Sequence, residues 1–362
     1  MVAIGTSHQC RWRWSGASGA VAAGLMAAAG CLAPGATLES APAVELTAIG
    51  APVRDPVWSY RDRSLLGLTD DHRLAKITVT GSPTADTRLS EPMDVGRNLQ
   101  ISQKDDRLVF VPQPQRGRVA VVDIDSLQRV DEFDAGPAPA YLTEDAGMRV
   151  LLALSADGSS VTPVDQYGFR KLPAADISAE PADSIDGANR GRQIEYHLYG
   201  PSGIRYYKGP SSPPEERASL HMDVAVSAGD GTAVTRSYVA GRTDSVLYAV
   251  DSRRDGHGME VLGCAQLSAP IRYLGTDETR IYAATDRDVV VLETESFTGY
   301  SDGIIPVLRR IDYRAGLPGP ASSAPLSGMA IGPKRVYLTL RGQQYLVSGS
   351  NRCVTNCARC RI

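Results

Sequence analysis

The sequence is poor in the groups on which many enzymes and nucleic-acid-binding proteins depend. Histidine occurs five times, tryptophan three times and phenylalanine four times in 362 residues. No His-rich tract announces a multi-histidine metal centre. The zinc-protease pattern His-Glu-x-x-His, the phosphate loop Gly-x4-Gly-Lys-Ser/Thr, a Rossmann glycine set leading into a helix and the Asp-x-Asp-x-Asp-Gly calcium loop are all missing, which removes the chemistries those motifs carry. Lysine occurs five times against 33 arginines, and no basic run interrupts a chain of formal net charge −3. A mildly acidic chain without a basic stripe lacks the electrostatic footprint of a nucleic-acid partner. Beyond the N-terminus no apolar stretch approaches the roughly 18 residues that suggest a membrane span, and no segment shows the 3.6-residue period of an amphipathic helix.

What the chain does have begins with an export signal. Arg11 and Arg13 form a short positive region, and an Ala/Gly-rich apolar stretch runs from Ser15 to Ala29 and ends at Gly30-Cys31. The residues Leu25-Met-Ala-Ala-Ala-Gly-Cys31 resemble a bacterial lipobox, with Ala28 where that motif usually has Leu. The resemblance implies cleavage before Cys31 and acylation of its thiol and new N-terminus with fatty acyl chains such as palmitate. Residues 1–30 are therefore read as a lipoprotein-type signal peptide. The Ala/Pro/Gly-rich residues 31–55 are read as a tether, one stretch of which can still pair as a strand. The expected location is the outer face of a cytoplasmic membrane, with a secreted or periplasmic protein as the alternative.

From residue 56 to about 350 the chain is a series of short β-rich runs broken by Gly, Asp and Pro. A strand, a polar turn and a second strand recur at 64–79, 107–124, 149–165, 237–251, 280–293 and 335–348. Successive units are about 42 residues apart, with one double gap and one longer one. Ile204-Arg-Tyr-Tyr-Lys208 lies inside the double gap and supplies the missing strand. Seven units at this period fit four short strands and their turns each, the repeat of a β-propeller blade. Residues 118–165 resemble the YVTN-type propeller repeat, with Asp123, Gly136, Pro139 and Asp157-Gly158 in comparable places. That resemblance implies an all-β, seven-bladed propeller and says little about activity, since propellers host binding proteins and enzymes alike. An open ring would leave two unpaired edges. A strand at Val44–Ile49 or Val57–Tyr60 is therefore expected beside Arg335–Ser348 to close it.

Residues 351–362 form a Cys-rich tail. Cys353, Cys357 and Cys360, with Cys264 in the body, are disulfide candidates in an exported chain, and four cysteines allow three pairings. The same thiols could hold a metal, and the tail has no His after Cys360 to make a haem-attachment motif. Of the histidines, His197 lies between two tyrosines, His221 is placed to share a strand face with Asp223, and His257 falls on a hairpin tip. These four residues are the candidate ligands if a metal is bound. No cofactor is predicted.

Two irregular units stand out as places for recognition. Arg205, Tyr206 and Tyr207 in the fourth unit, and Arg309 and Arg310 near the sixth, combine the residue types that interfaces favour. The sequence thus points to a membrane-tethered extracytoplasmic propeller acting as a scaffold or ligand-recognition module for an envelope protein or a small ligand. A metal-binding protein or metallochaperone and a propeller hydrolase or lactonase are the alternatives.

Overall fold

The structure is a computed structural model, and it describes residues 44–177, 180–188, 192–209, 213–252 and 258–351. Seven antiparallel sheets follow one another along the chain, six with their strands in sequence order and the seventh taking its outermost strand from the N-terminal Val44–Ala48, and one of the six carries a second short outer strand. Together they form a ring of seven blades. The innermost strands are Arg54–Ser59, Gln100–Ile101, Pro139–Asp145, Ser184–Gly187, Val226–Gly229, Ile271–Thr276 and Leu326–Ile331, opening blades 1 to 7 in turn. The one helical element described is a short 3-10 turn, Gly319–Ser322, in the connection leading into blade 7.

All six strand pairs recognised by their repetition are the second and third strands of a blade, from Ser64–Leu68 with Leu74–Thr78 to Arg335–Leu340 with Tyr345–Ser350. The strand placed in the double gap is Gly203–Gly209, the third strand of blade 4. Local chemistry sets the turns. Where the second strand meets the third, a hydroxyl residue and an aspartate lock the hairpin: Ser155 Oγ donates to Asp157 Oδ1 at 2.6 Å and Thr285 Oγ1 to Asp288 Oδ1 at 2.7 Å. In both cases the hydroxyl oxygen also accepts a backbone N–H of the turn. Where the first strand meets the second, Asp145, Asp230 and Asp277 accept amides two or three residues on, at 2.7–3.0 Å. These are side-chain turns of the kind that make Asp, Ser and Thr turn residues.

The core is divided. Seven clusters of buried apolar side chains are present, each filling the gap between two adjacent blades. Strands buried on both faces explain why the central runs, such as Val150–Ser155, read as continuous apolar stretches without alternation.

Ring closure uses the first of the two expected strands. Val44–Ala48 pairs antiparallel with Tyr345–Ser350, in register from Val44 opposite Gly349 to Ala48 opposite Tyr345. Arg335 forms an ion pair with Glu45 across this seam, and the Ile49 amide donates to the Gln344 carbonyl at 2.9 Å. Trp58 of blade 1 stacks on Tyr337 of blade 7 at 5.1 Å between ring centroids. Val57–Tyr60, the other candidate, belongs to the innermost strand of blade 1 and the turn after it. Residues 44–55, read from sequence as tether, are therefore part of the propeller, and the closing strand expected at Val44–Ile49 lies within them, some 300 residues before its pairing partner.

Candidate functional site

The innermost strands carry little apolar periodicity, and at one mouth of the central channel they place polar side chains that line a cavity with residues of the neighbouring turns. Four of these strands have a register shift near their first residues, at Arg54/Val57, Pro139/Tyr141, Ile271/Tyr273 and Leu326/Gly328. A bulge inserts a residue and re-aims the next side chain. Tyr141 in blade 3 and Tyr273 in blade 6 occupy the same place just after the bulge. In blade 1 the bulge holds Asp55 in the left-handed region, φ 47°, a conformation that a non-glycine residue adopts only when its surroundings impose it.

Two arginines lace this mouth. Arg54 pairs with Asp55 at 2.8 Å and donates to the carbonyls of Gly96 and Arg97 at 3.2 and 3.3 Å. Arg97 donates to the carbonyls of Asp183 and Ala156 at 3.0 and 3.2 Å. Blades 1 to 4 are thereby linked by guanidinium groups bound to backbone oxygens.

Other polar groups of the mouth are open. Neither the Tyr141 nor the Tyr273 hydroxyl has a hydrogen-bond partner among the described residues, and the side chain of Arg341, in a turn of blade 7, has none either. A cavity of about 160 Å³ lies against Arg54, Asp55, Asp70, Tyr273, Ser327 and Arg341. Burial pushes the Tyr273 phenol up to about 12 and the Tyr141 phenol higher, with the Asp55 carboxylate adding to both shifts and Asp186 to that of Tyr141. Both phenols therefore stay protonated donors; Tyr273 of blade 6 lines the cavity with Arg54 and Asp55 of blade 1, and Tyr141 of blade 3 lies outside its lining. Asp186, on the inner strand of blade 4, is pushed up to about 6 by burial, against the hydrogen bonds it receives from Tyr199 and the Gly229 amide. Its Oδ2 is buried without a partner.

A second, more open recess of about 600 Å³ lies on the rim at Ser268, Asp286, Asp288, Arg310, Asp312 and Arg314. Its charges neutralise one another. Arg310 pairs with Asp288 at 3.1 Å, Arg272 with Asp286 at 2.7 Å, and Arg314 donates to four backbone carbonyls, among them Asp286 at 3.0 Å.

The residues singled out from sequence are not brought together. Tyr206 and Tyr207 are only 4 and 6 % exposed: the Tyr206 hydroxyl donates to Glu195 at 2.9 Å, and Tyr207 stacks on Tyr196 at 5.1 Å. They are packing residues of blade 4 and offer a partner almost no area. Arg205 donates to the Glu180 carbonyl, Arg309 to that of Ser350 at 3.0 Å, and blade 5 separates the two arginine groups. His197 is 2 % exposed and stacks on Tyr206 at 4.9 Å; burial holds it down to about 4, so it is neutral at ordinary pH. His221 and Asp223 are exposed in the connection after Glu215–Leu220, where they do not share a strand. Asp223 accepts the Arg242 amide at 3.1 Å. Among the described residues no group of three or more His, Cys, Asp or Glu side chains is arranged to hold a metal ion. Cys264 sits in the outermost strand of blade 5, where its amide and carbonyl bond Gly303 and Ile305 at 2.9 and 3.0 Å. Cys31, His257, Cys353, Cys357 and Cys360 lie outside the described residues.

The residues of the mouth were missed because the inner strands are mixed in polarity and bulged where these side chains sit. Their one sequence signal is recurrence, an Arg or Tyr near the start of each of several units. Also missed was a Gly-x-Ser-x-Gly pattern, Gly299-Tyr-Ser-Asp-Gly303. It lies in an irregular connection with no helix after it, where Tyr300 bonds the carbonyls of Glu293 and Thr294, and so lacks the strand-to-helix elbow of hydrolases.

No family model matches the chain, and no curated protein matches it in sequence. Solved structures match it in fold. The structure of U3-55K superposes with a TM-score of 0.63 at 10% identity, covering 84% of this chain and 98% of that one. A chain of the mitotic checkpoint complex superposes with a TM-score of 0.64 at 12% identity, covering 91% and 99%. This protein is a seven-bladed β-propeller. At such low identity the likeness extends to the fold alone, an architecture that commonly serves as a scaffold or recognition module.

Proposed function

We propose that this propeller is an exported recognition module, tethered to the outer face of a membrane through Cys31, which binds a small polar ligand at the channel mouth where Tyr141 and Tyr273 open, and does no chemistry on it. The observation that carries this reading is the division of labour at the mouth. Arg54 and Arg97 are committed to backbone carbonyls and hold the ring, whereas two phenol hydroxyls and one guanidinium in the same region have no protein partner. Preformed, unsatisfied polar groups in a concave site are what a ligand completes. The N-terminal Arg11/Arg13, apolar stretch and Cys31 support export and acylation.

Two measurements test it. Metabolic labelling with an alkynyl palmitate in a bacterial host should mark the full chain, and Cys31→Ala should abolish the label. A thermal-shift screen of small polar compounds on the exported protein should yield a ligand whose effect is lost in Tyr273→Phe. A hit that survives Tyr141→Phe, Tyr273→Phe and Arg341→Ala together would place recognition elsewhere.

A further inference from the structure

The open groups of the mouth differ in kind, and their balance specifies a class of ligand. On the donor side of the cavity stand the Tyr273 hydroxyl and the Arg341 guanidinium. On the acceptor side stand the Asp70 carboxylate and the Asp55 oxygen that Arg54 does not take. In the cavity lining itself two arginines, Arg54 and Arg341, face two aspartates, Asp55 and Asp70. A phosphorylated or dicarboxylate ligand would need several uncommitted cations, and Arg341 is the one found in that lining among the described residues. A cationic ligand would meet both arginines. A neutral molecule whose groups each donate and accept would satisfy both sides at once, and hydroxyl is the group that does so.

The rest of the geometry agrees. Tyr273 reaches the cavity from blade 6 and brings a polar tip on a partly buried apolar ring, which suits a ligand that mixes hydroxyls with C–H surface. The cavity of about 160 Å³ is of the order of a single monosaccharide. From this we infer that the channel mouth binds a neutral saccharide unit, with Tyr273 and Arg341 donating to its oxygens and Asp55 and Asp70 accepting from its hydroxyls.

This inference rests on the reading of the mouth as a recognition site, and the experiment separates the two. The exported, processed chain is titrated by saturation-transfer NMR and calorimetry against a neutral panel of hexoses, pentoses and N-acetylhexosamines. A charged panel of amino acids, dicarboxylates and inorganic phosphate is run in parallel. At least one neutral sugar should bind, and Tyr273→Phe should weaken it by about 2- to 10-fold, the worth of one hydrogen bond, with unchanged melting. Binding of charged compounds alone, abolished by Arg341→Ala, would overturn the saccharide assignment and leave a recognition mouth standing. No binding from either panel, or sugar binding indifferent to both Tyr273→Phe and Arg341→Ala, would overturn both.

Discussion

Arg54 donates to the backbone carbonyl of Arg97 at 3.3 Å, and Arg97 in turn reaches over blade 3 to the carbonyl of Asp183 at 3.0 Å. One arginine thus holds the residue that carries the next, and the relay binds blade 1 to blade 4 around the channel mouth. Because the acceptors are backbone oxygens, the contact fixes the positions of strands as well as side chains. Arg97→Met should keep the aliphatic stem and lose the two carbonyl bonds. Both are solvent-exposed, so a loss of about 1 kcal/mol is expected, read as a fall of about 2 °C in the melting temperature of a domain this size. The same substitution should weaken ligand binding at the mouth more than its effect on the melt suggests, since Tyr141 stands beside the bridge.

Removal of the closing strand should be far more damaging. Deleting residues up to Ala48 leaves the outer edge of Tyr345–Ser350 unpaired, while its other edge stays on Arg335–Leu340, and strips the ion pair from Arg335. Circular dichroism melts of the truncated domain should show a fall of about 10 °C, from several lost backbone bonds, the lost packing of Leu46 and the exposure of Val347. Glu45→Ala alone should cost about 0.5 kcal/mol, as half-exposed ion pairs do. A truncation that melts like the intact domain would contradict the seam.

How much of this was visible in the sequence follows from where the signal sits. The second and third strands of each blade are buried on both faces and joined by Thr/Ser and Asp turns, so Arg149–Asp165 and Arg280–Glu293 could be found by their repetition. The first strands carry the mouth, mix polar with apolar side chains and are broken by bulges in four blades, so they show no period, and Gln100–Ile101 is only two residues long. Tyr206 and Tyr207 misled for a related reason. Tyrosine is as good a residue for packing between blades as for interfaces, and only the burial of their rings distinguishes the two uses. Asp55 and Asp186 gave no local hint, because what matters in them is a bulge and a missing partner.

Two buried groups should oppose each other in the response of stability to pH. Burial pushes Glu144 up to about 7; Gln166 donates to its Oε1 at 2.6 Å, and its Oε2 has no partner. An acid whose folded pKa lies above its unfolded value costs nothing below about pH 4 and destabilises the fold as pH rises through 7. Its shift corresponds to about 3 kcal/mol at most. Denaturant titrations should therefore show Glu144→Gln gaining on the parent between pH 5 and 8.

His197 works in the other direction. Burial holds its folded pKa near 4, below the usual 6.5, so the unfolded chain takes up the proton first and stability is lost as pH falls from about 6.5 towards 4. His197→Phe keeps a ring against Tyr206 and removes the proton. Its stability relative to the parent should improve as pH is lowered from 7.5 to 5, measured in the same titrations. A parallel pair of pH curves would mean that His197 is hydrated in solution.

Gly328 tests whether the geometry of Asp55 matters. A Cβ on Gly328 would lie 2.2 Å from Pro56 Cδ and 2.7 Å from the Asp55 amide nitrogen, closer than atoms can approach, and two of the three nearest atoms are backbone. The inner strands of blades 7 and 1 would have to move apart where the bulge holds Asp55 in its left-handed conformation. Gly328→Ala should therefore cost about 1–3 kcal/mol, the range for overpacking a close contact, and it should also disturb the mouth. Gly81 offers the control: its φ of 81° is left-handed, a Cβ there meets nothing within 4 Å, and it lies in an exposed turn of blade 1. Gly81→Ala therefore costs stability through backbone strain, about 1–3 kcal/mol, rather than through a clash, and does so without displacing Asp55. If ligand affinity at the mouth falls in Gly328→Ala and holds in Gly81→Ala at matched loss of stability, the placement of Asp55 is what the bulge serves. Equal affinities would reduce the bulge to a packing device.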